Sequence, residues 1–358
     1  MTEQRNGAAQ RTITVGDRQI GPGHEPFVIA EMSGNHNGEL ERALDIVRAA
    51  GEAGASAVKI QTYTADTITL DVDSPMFRLS ADHPLWPNRR LYDLYTEAHT
   101  PWDWHEPIFA LAQELGMVAF SAPFDPTAVD FLVGLGVPVI KSASSEITDL
   151  PLIRAIAGSG LPTIISTGTA TLGEIDEAVR SARAVGNDDL VVLSCTASYP
   201  APPESSNLRG IPVLRDALDV QVGLSDHTLG IGASVAAIAL GATVIEKHLT
   251  LDRADGGVDA DFSLDPREFA SLVAECRIAW QAMGDARIGP KSIEREGLRF
   301  RRSLFVSRDV RAGEPVGPHN VRSVRPADGM PPDSFADIVG RVFRVDAAKG
   351  TPMSLDLL

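Results

Sequence analysis

Between residues 27 and 283, short apolar runs alternate with longer amphipathic stretches, and this alternation constrains the fold more than any other feature of the chain. The apolar runs are rich in Val and Ile, as expected of buried parallel strands. We place the strands at 27–32, 57–61, 117–121, 138–141, 162–166, 190–195, 220–224 and 243–247. Helical patterns fall at 40–53, 103–115, 126–135, 150–158, 172–184, 208–217, 230–240 and 266–283. Eight such units predict an α/β fold, a (β/α)8 TIM barrel rather than a doubly wound sheet.

Two segments flank this pattern. "TITVGDRQIG" at 12–21 predicts an N-terminal β-hairpin that covers the bottom of the barrel. After the last helix the pattern changes to short β-like pieces separated by turns. We therefore expect a barrel domain at 1–285, a linker at 286–297 and a small β-rich domain at 298–358.

One connection is unusually long. From residue 62 to residue 100 the chain is rich in Pro and aromatic residues, and we interpret it as a loop. Loops of this length in compact domains are usually functional. Because it follows a strand, it is expected on the catalytic face of the barrel.

Charge and cysteine content narrow the partners and the compartment. A net charge of −16 argues against nucleic acid or an anionic membrane as a partner. No apolar run approaches the length of a membrane span. Cys195 and Cys276 make no disulfide framework, which is typical of a reducing, cytoplasmic protein.

Polar side chains stand at the carboxyl ends of nearly all the predicted strands, where barrel enzymes build their active sites. Burying a charge without a partner costs several kcal/mol, so these groups are expected to share a purpose. Lysines end three of the strands: Lys59, Lys141 and Lys247. Two of them, with nearby serines, predict a site for a small phosphorylated anion, formed by Lys59, Lys141, Ser144, Ser166 and Ser225.

Two histidines, His227 and His248, end neighbouring strands and could share one divalent metal, with Glu31 across the mouth. Mn²⁺, Mg²⁺, Fe²⁺ and Zn²⁺ all suit such a site, and ligand softness does not decide among them. His36 follows the first strand and is a candidate substrate contact. Cys195 is interpreted as a packing residue, and His105 as a loop or surface residue.

The motifs, in this order, resemble the sialic acid synthase family over essentially the whole chain. The motifs that carry the resemblance are AEMSGNHNG (30–38), KIQTYTADT (59–67), KSASSE (141–146), STGTAT (166–171), SCTASYP (194–200), GLSDHT (223–228) and EKHLT (246–250). The segment that begins SLFVSRDVRAGEPV looks like the antifreeze-like (SAF) domain attached to those enzymes.

The resemblance implies condensation of phosphoenolpyruvate with an acetamido sugar to give a nine-carbon nonulosonic acid and phosphate. It implies a divalent metal held by His227 and His248, Mn²⁺ first, with Mg²⁺ or Co²⁺ as alternatives. It also implies that phosphoenolpyruvate binds Lys59, Lys141, Ser144, Ser166 and Ser225. The residues implied to face the sugar are Glu31, Gln61, Tyr199 and Asp259.

Proton transfer and assembly follow from the same resemblance. Glu146 would lie near the reacting carbons, and Glu31 and Glu146 are the candidates for moving protons. Arg325, in "SVRPADG", would reach the sugar from the SAF domain of the partner subunit. The resemblance therefore implies a domain-swapped homodimer.

Within the family, "AEMSGNHNG", "KIQTYTADT" and "GGVDADFSL" (256–264) look most like the branch that makes pseudaminic acid. That branch uses 2,4-diacetamido-2,4,6-trideoxy-L-altrose, and N-acetylneuraminate or legionaminic acid synthesis are the alternatives. A more distant alternative is a class I aldolase with Lys141 or Lys247 as the Schiff-base residue. A non-enzymatic alternative is polymer binding by the SAF-like domain, with the barrel as a scaffold.

Overall fold

The computed structural model describes residues 11–82 and 85–358. It divides at Gly284–Asp285 into two compact units. Among the described residues, no helix combines the length and the apolarity that crossing a membrane requires.

The first unit is built on a closed barrel of eight parallel strands, preceded by the predicted hairpin of β1 (Ile13–Val15) and β2 (Arg18–Ile20). The barrel strands are β3 (Phe27–Glu31), β4 (Ala57–Thr62), β5 (Val118–Pro123), β6 (Ile140–Ser142), β7 (Thr163–Ser166), β8 (Leu190–Cys195), β9 (Gln221–Asp226) and β10 (Val244–His248). The barrel closes by the pairing of β10 with β3. The predicted fold class is therefore confirmed.

Helices alternate with these strands: α1 (Leu40–Glu52), α2 (Ala65–Ile68), α3 (Leu91–Ala98), α4 (His105–Glu114), α5 (Pro126–Gly134), α6 (Leu150–Gly158), α7 (Leu172–Ala184), α8 (Gly210–Leu218), α9 (Gly232–Ala239) and α10 (Pro266–Met283). Several begin with a side-chain cap, such as Thr171 before α7 and Asp265 before α10. We had interpreted the long segment after β4 as a loop. The structure corrects this, because α2 and α3 form within it. The prolines before α3 suggested a loop, and the helix is too short to show a clear helical period of apolar residues.

Alternation along each strand gives the barrel interior two different layers. Near the bottom the interior is apolar, with buried Ile29, Leu193 and Val244, and the hairpin residue Ile13 belongs to the same apolar cluster. Two residues further along a strand, the same face carries charged or polar groups. The apolar layer thus supports a charged layer at the carboxyl ends of the strands.

Gly223 marks how closely the interior is packed below that layer. A Cβ added there would lie 2.3 Å from the Val244 carbonyl oxygen and 2.6 Å from Leu193 Cδ2. No side chain fits at that separation, so the close approach of β8, β9 and β10 requires glycine.

The second unit contains an antiparallel pair, β11 (Ser303–Val306) and β12 (Val321–Val324), and the short helix α11 (Phe335–Ile338). It has its own apolar core, which includes Leu304, Val321 and Phe343.

Candidate active site

A cluster of buried charges lies at the carboxyl ends of four strands, and we call Glu31, Lys59, Lys141 and Glu246 the inner cluster. Lys59 Nζ lies 2.7 Å from Glu31 Oε2 and 3.6 Å from Glu246 Oε1. Lys141 Nζ lies 3.1 Å from the same Glu246 oxygen. The strand register brings these residues together, since Glu31 pairs with Lys59 across β3 and β4. None of the four side chains is more than 4% exposed.

Burial and mutual attraction shift the four groups differently. Burial raises the pKa of Glu31, and Lys59 offsets only part of that effect. Burial also acts to raise the pKa of Glu246, but Lys141 and Lys59 outweigh it, so the net shift is downward. Glu246 is therefore ionised, and the pKa of Glu31 is shifted in the opposite direction.

The two lysines also differ. Burial acts to lower the pKa of Lys59, but Glu246 and Glu31 outweigh it and the net shift is upward. For Lys141 burial dominates, Glu246 offsets it only in part, and the pKa falls. An incoming anion beside these two ammonium groups would favour the charged form of Lys141.

His227 and His248 follow at the same mouth, with ring centroids 5.3 Å apart. His227 Nδ1 donates to the Thr196 carbonyl oxygen at 3.0 Å, because a carbonyl can only accept. In the neutral ring this leaves Nε2 with a free lone pair. Burial, and then the nearby His227, hold the pKa of His248 well below its usual range, so His248 is neutral.

Among the described residues, five side-chain atoms of the site are buried without a hydrogen-bond partner: Glu31 Oε2, which still lies 2.7 Å from Lys59 Nζ, and Glu146 Oε2, Ser166 Oγ, Glu246 Oε2 and His248 Nδ1. Buried polar atoms normally have partners, so a group of unpartnered ones indicates a ligand site. The unpartnered His248 nitrogen beside His227 fits a divalent metal. Among the described residues, no set of three or more His, Cys, Asp or Glu side chains could hold a metal, so the protein would supply these two histidines.

Polar groups on the other side of the histidines form a hydrogen-bonded rim. Gln61 Nε2 donates to Glu31 Oε1 at 3.0 Å and to Ser33 Oγ at 3.2 Å. Ser33 in turn donates to the Asp259 carboxylate, which lies 3.9 Å from His248 Nδ1. Burial raises the pKa of Asp259. Donors and acceptors therefore face the mouth together, as a polyhydroxylated or amide-bearing substrate requires.

Aromatic rings complete the wall beside the histidines. The Tyr199 ring lies 4.6 Å from His227 and 5.1 Å from Phe262, and Phe262 lies 4.9 Å from His248. Burial raises the pKa of Tyr199 above its usual range, so the hydroxyl stays protonated.

The segment after β6 brings in Ser144 and Glu146. Ser144 Oγ accepts a hydrogen bond from the Gly168 backbone at 3.2 Å, and a Cβ at Gly168 would lie 2.7 Å from that oxygen. Burial raises the pKa of Glu146 to about 7, against the opposing effects of its own backbone N–H and of Lys141. A carboxyl with that pKa can give or take a proton near neutral pH.

The structure brings most of the predicted site residues to one mouth. The residues of the first unit whose contacts place them there are Glu31, Lys59, Gln61, Lys141, Tyr199, Ser225, His227, His248 and Asp259. Ser144, Glu146 and Ser166 lie at or just after the carboxyl ends of β6 and β7, in the same layer. Arg325 lies exposed in the second unit, directly after β12, and its role stays a prediction.

Two predicted mouth residues lie elsewhere. Lys247 points to the outer face of β10, because Glu246 and His248 on either side of it point inward; it pairs there with Asp226 at 2.9 Å. It is therefore excluded as a Schiff-base candidate in the mouth. His36 is fully buried against Trp104, with ring centroids 5.5 Å apart, rather than facing substrate.

Two residues that we had interpreted as packing or surface residues make specific polar contacts instead. Cys195 is not a packing residue: it shares the inward face with Leu193, and its sulphur lies 3.8 Å from His227 Nδ1. His105 is not at the surface: it is fully buried in α4, with Nε2 2.7 Å from Thr62 Oγ1.

Sequence reasoning also missed the roles of three inward residues, Glu246, Ser33 and Phe262. For Glu246 the signal was present, since it precedes His248 by two residues on one strand and must share its face. Ser33 and Phe262 lie in single turns of 3₁₀ helix, which are too short for a period to assign their direction.

Comparison with known proteins gives a match to the NeuB family over residues 46–288 and to the SAF domain over residues 301–358. The chain is 44% identical to pseudaminic acid synthase of Campylobacter jejuni over 324 residues, which are 90% of this chain and 94% of that protein. It is 36% identical to N,N'-diacetyllegionaminic acid synthase of Legionella pneumophila over 91% of this chain and 93% of that protein.

A solved structure is similar as well. The N-acetylneuraminic acid synthetase of Leptospira borgpetersenii, crystallised with citrate, superposes with a TM-score of 0.73 at 31% identity. The alignment covers 83% of this chain and 98% of that one.

Proposed function

The chain belongs to the NeuB family and carries a SAF domain, and on this premise we propose that it is a phosphoenolpyruvate-dependent nonulosonic acid synthase that makes pseudaminic acid. The reaction joins phosphoenolpyruvate, 2,4-diacetamido-2,4,6-trideoxy-L-altrose and water to give pseudaminic acid and phosphate. The observation that carries the proposal is the inner cluster beside two histidines, with unpartnered polar atoms facing the mouth.

The anionic substrate would bind the lysines of the inner cluster. Lys59 and Lys141 lie on β4 and β6 and can contact separate oxygens of one small phosphorylated carboxylate. Ser144, Ser166 and Ser225 add hydroxyl donors, and the Ser166 hydroxyl has no hydrogen-bond partner among the described residues. Because these ammonium groups are fixed before substrate arrives, they would stabilise the charge that develops on departing phosphate.

His227 and His248 would hold the divalent metal, which we propose to be Mn²⁺. When bound, that metal would act as a Lewis acid toward the aldehyde oxygen of the open-chain sugar. The Thr196 carbonyl supports this assignment because it holds the proton of His227 on Nδ1.

Carbon–carbon bond formation then proceeds from C3 of phosphoenolpyruvate to the sugar aldehyde. Water adds to the resulting cation at C2, and the tetrahedral intermediate expels phosphate. Glu146, with a pKa raised to about 7 by burial, is placed by its pKa to move a proton in these steps. Glu31, whose pKa is also raised by burial, is the second candidate.

The sugar branch is supported by the relatives, since the identity to the pseudaminic acid synthase exceeds that to the legionaminic acid synthase. The rim of Gln61, Ser33 and Asp259 offers amide-binding groups, and the rings of Tyr199 and Phe262 offer an apolar wall. Both suit a deoxy sugar with two acetamido groups.

The proposal includes a domain-swapped homodimer in which Arg325 of one subunit serves the partner's sugar site. It also includes a reducing compartment, the cytoplasm, since Cys195 and Cys276 are both free thiols. If Arg325 has this role, Arg325→Ala raises the KM for the sugar and leaves the KM for phosphoenolpyruvate unchanged.

Phosphate release from phosphoenolpyruvate tests the function directly. The protein is assayed with Mn²⁺ and one of three sugars: the altrose-configured diacetamido sugar, the legionaminic precursor or N-acetylmannosamine. Turnover with the first sugar alone, abolished by EDTA and restored by Mn²⁺, is the expected result. Turnover with another sugar would assign the protein to a different substrate branch of the family. No phosphate release from well-folded protein would contradict the synthase proposal. Activity in EDTA with a borohydride-trapped adduct would instead indicate the aldolase.

A further inference from the structure

A second buried charge network lies on the outer face of the strands that carry the two histidines. Lys247 Nζ is 2.9 Å from Asp226 Oδ2, and the side chains are 0% and 1% exposed. The Ser234 hydroxyl of α9 donates to the same Asp226 oxygen at 2.6 Å. These three residues, which we call the outer clamp, have no unpartnered buried side-chain atom in the described chain.

The outer clamp holds the backbone on the carboxyl side of His227. Asp226 Oδ1 accepts from the Thr228 backbone N–H at 2.8 Å, and Lys247 Nζ donates to the Thr228 carbonyl. The carbonyl of His227 itself accepts from Ala201 N at 2.9 Å. The peptide groups that follow His227 are therefore fixed by two side chains and by the Ala201 backbone rather than by strand pairing.

His248 is connected to the outer clamp because it directly follows Lys247 in the chain. Lys247 and Asp226 are register partners across β10 and β9, so the ion pair joins the two strands one residue before each histidine. Each histidine points inward from the position next to a member of the pair. Any slip between the strand ends would change the separation of the two imidazoles.

A fully buried ion pair is weak evidence for stability, because desolvation of the charges offsets their attraction and an apolar pair often serves as well. Its position next to both histidines gives it a different use. Resting on the proposed metal dependence, we infer that Asp226 and Lys247 are positioning residues that set the spacing of His227 and His248 for the divalent metal.

The test replaces both charges together, so that no unpaired charge is left in the core. Asp226→Leu/Lys247→Met is expected to fold with a lowered melting temperature, because the Ser234 hydroxyl and the Thr228 backbone lose their partners. The dissociation constant of Mn²⁺ for the substrate-free protein, measured by calorimetry, is expected to rise about 10- to 100-fold, the effect usual for groups behind metal ligands. Ser234→Ala, which removes one hydrogen bond from Asp226, is expected to weaken Mn²⁺ binding in the same direction but less.

Asn187→Ala is the matched control. Asn187 is also a buried polar residue, donating to the carbonyls of Ala157 and Leu161, but it precedes β8 at the opposite end of the barrel. This variant is expected to lower the melting temperature and leave Mn²⁺ binding unchanged.

A folded double variant with wild-type affinity for Mn²⁺ would overturn the inference. If the double variant does not fold, unchanged affinity in Ser234→Ala overturns it instead. Wild-type protein that binds no divalent metal would overturn the proposed metal dependence itself, and that result is distinct because it appears without any substitution.

Discussion

Strand β10 carries buried charges on both faces, and the two faces treat them differently. On the outer face Lys247 and Asp226 are completed by Ser234 and the Thr228 backbone, with no side-chain atom left over. On the inner face Glu246 contacts two lysines through one oxygen, and its other oxygen has no hydrogen-bond partner in the part of the chain that the structure describes. This difference is the basis for proposing that the outer network positions the histidines and that the inner one binds a ligand.

The largest expected effect is a difference in the free energy of unfolding between substitutions on the outer and inner faces. Lys247→Met leaves Asp226 as an unpaired buried charge, which should cost about 3–5 kcal/mol of the free energy of unfolding. Lys141→Met should cost less, since Glu246 keeps Lys59 as a partner. Urea unfolding of both variants checks the difference, and equal losses would contradict it.

The inner-face substitution, which should cost less stability, should cause a large loss of activity. Lys141→Met removes a cation from the proposed anion site and is expected to lower kcat/KM for phosphoenolpyruvate about 10²- to 10³-fold. Saturating Mn²⁺ should not restore it. The matched control is Lys349→Met, the same substitution at an exposed position of the second unit. A loss that excess metal repairs would assign Lys141 to the metal site instead.

A smaller effect is expected in the pH dependence of the inner mouth. The pKa of Glu146 is raised from 4.5 to about 7 by burial, with Lys141 opposing and Asp149 adding to the shift. The folded protein therefore holds this proton more tightly than the unfolded chain, and stability falls as pH rises through the window from 4.5 to about 7. Glu146→Gln should lack this part of the fall, and its kcat/KM profile should lack an ionisation near pH 7.

The measurements are melting temperature and kcat/KM across pH for both proteins. Tyr95, whose pKa is raised by burial and by Glu146, lies near the same carboxyl, so Tyr95→Phe serves as the control for a general disturbance of the pocket. If the pH profiles of kcat/KM for wild type and Glu146→Gln run parallel, Glu146 is not a proton-transfer residue.

The smallest effect is expected at Cys195. Its sulphur lies 3.8 Å from His227 Nδ1, but that nitrogen already donates to the Thr196 carbonyl at 3.0 Å. Cys195→Ser should change kcat by no more than about fivefold, since one neutral hydrogen bond contributes about 1 kcal/mol. Steady-state kinetics at saturating Mn²⁺ tests this, and a far larger loss would give the thiol a direct role.

The fold was predictable because its signals are local. Continuous Val and Ile runs, helical periods and capping residues such as Thr171 are each read within about a dozen residues. The barrel, its hairpin and nearly all the helix limits follow from them. The short helices α2 and α3 did not, because α2 is a single turn and the surrounding prolines concealed the two turns of α3.

The candidate site divides along the same line. Strand ends and motif resemblance identified Lys59, Lys141, His227 and His248, since a residue's place at the end of a strand is a local property. Alternation along β10 puts Glu246 and His248 on one face and Lys247 on the other, but which face points inward is not local, because barrel closure and register with β9 and β3 decide it. The sequence by itself determined the barrel and the polar groups at its mouth. Only the tertiary structure decided that Lys247 braces the histidines from outside and that Cys195 faces them, because both depend on which strands become neighbours.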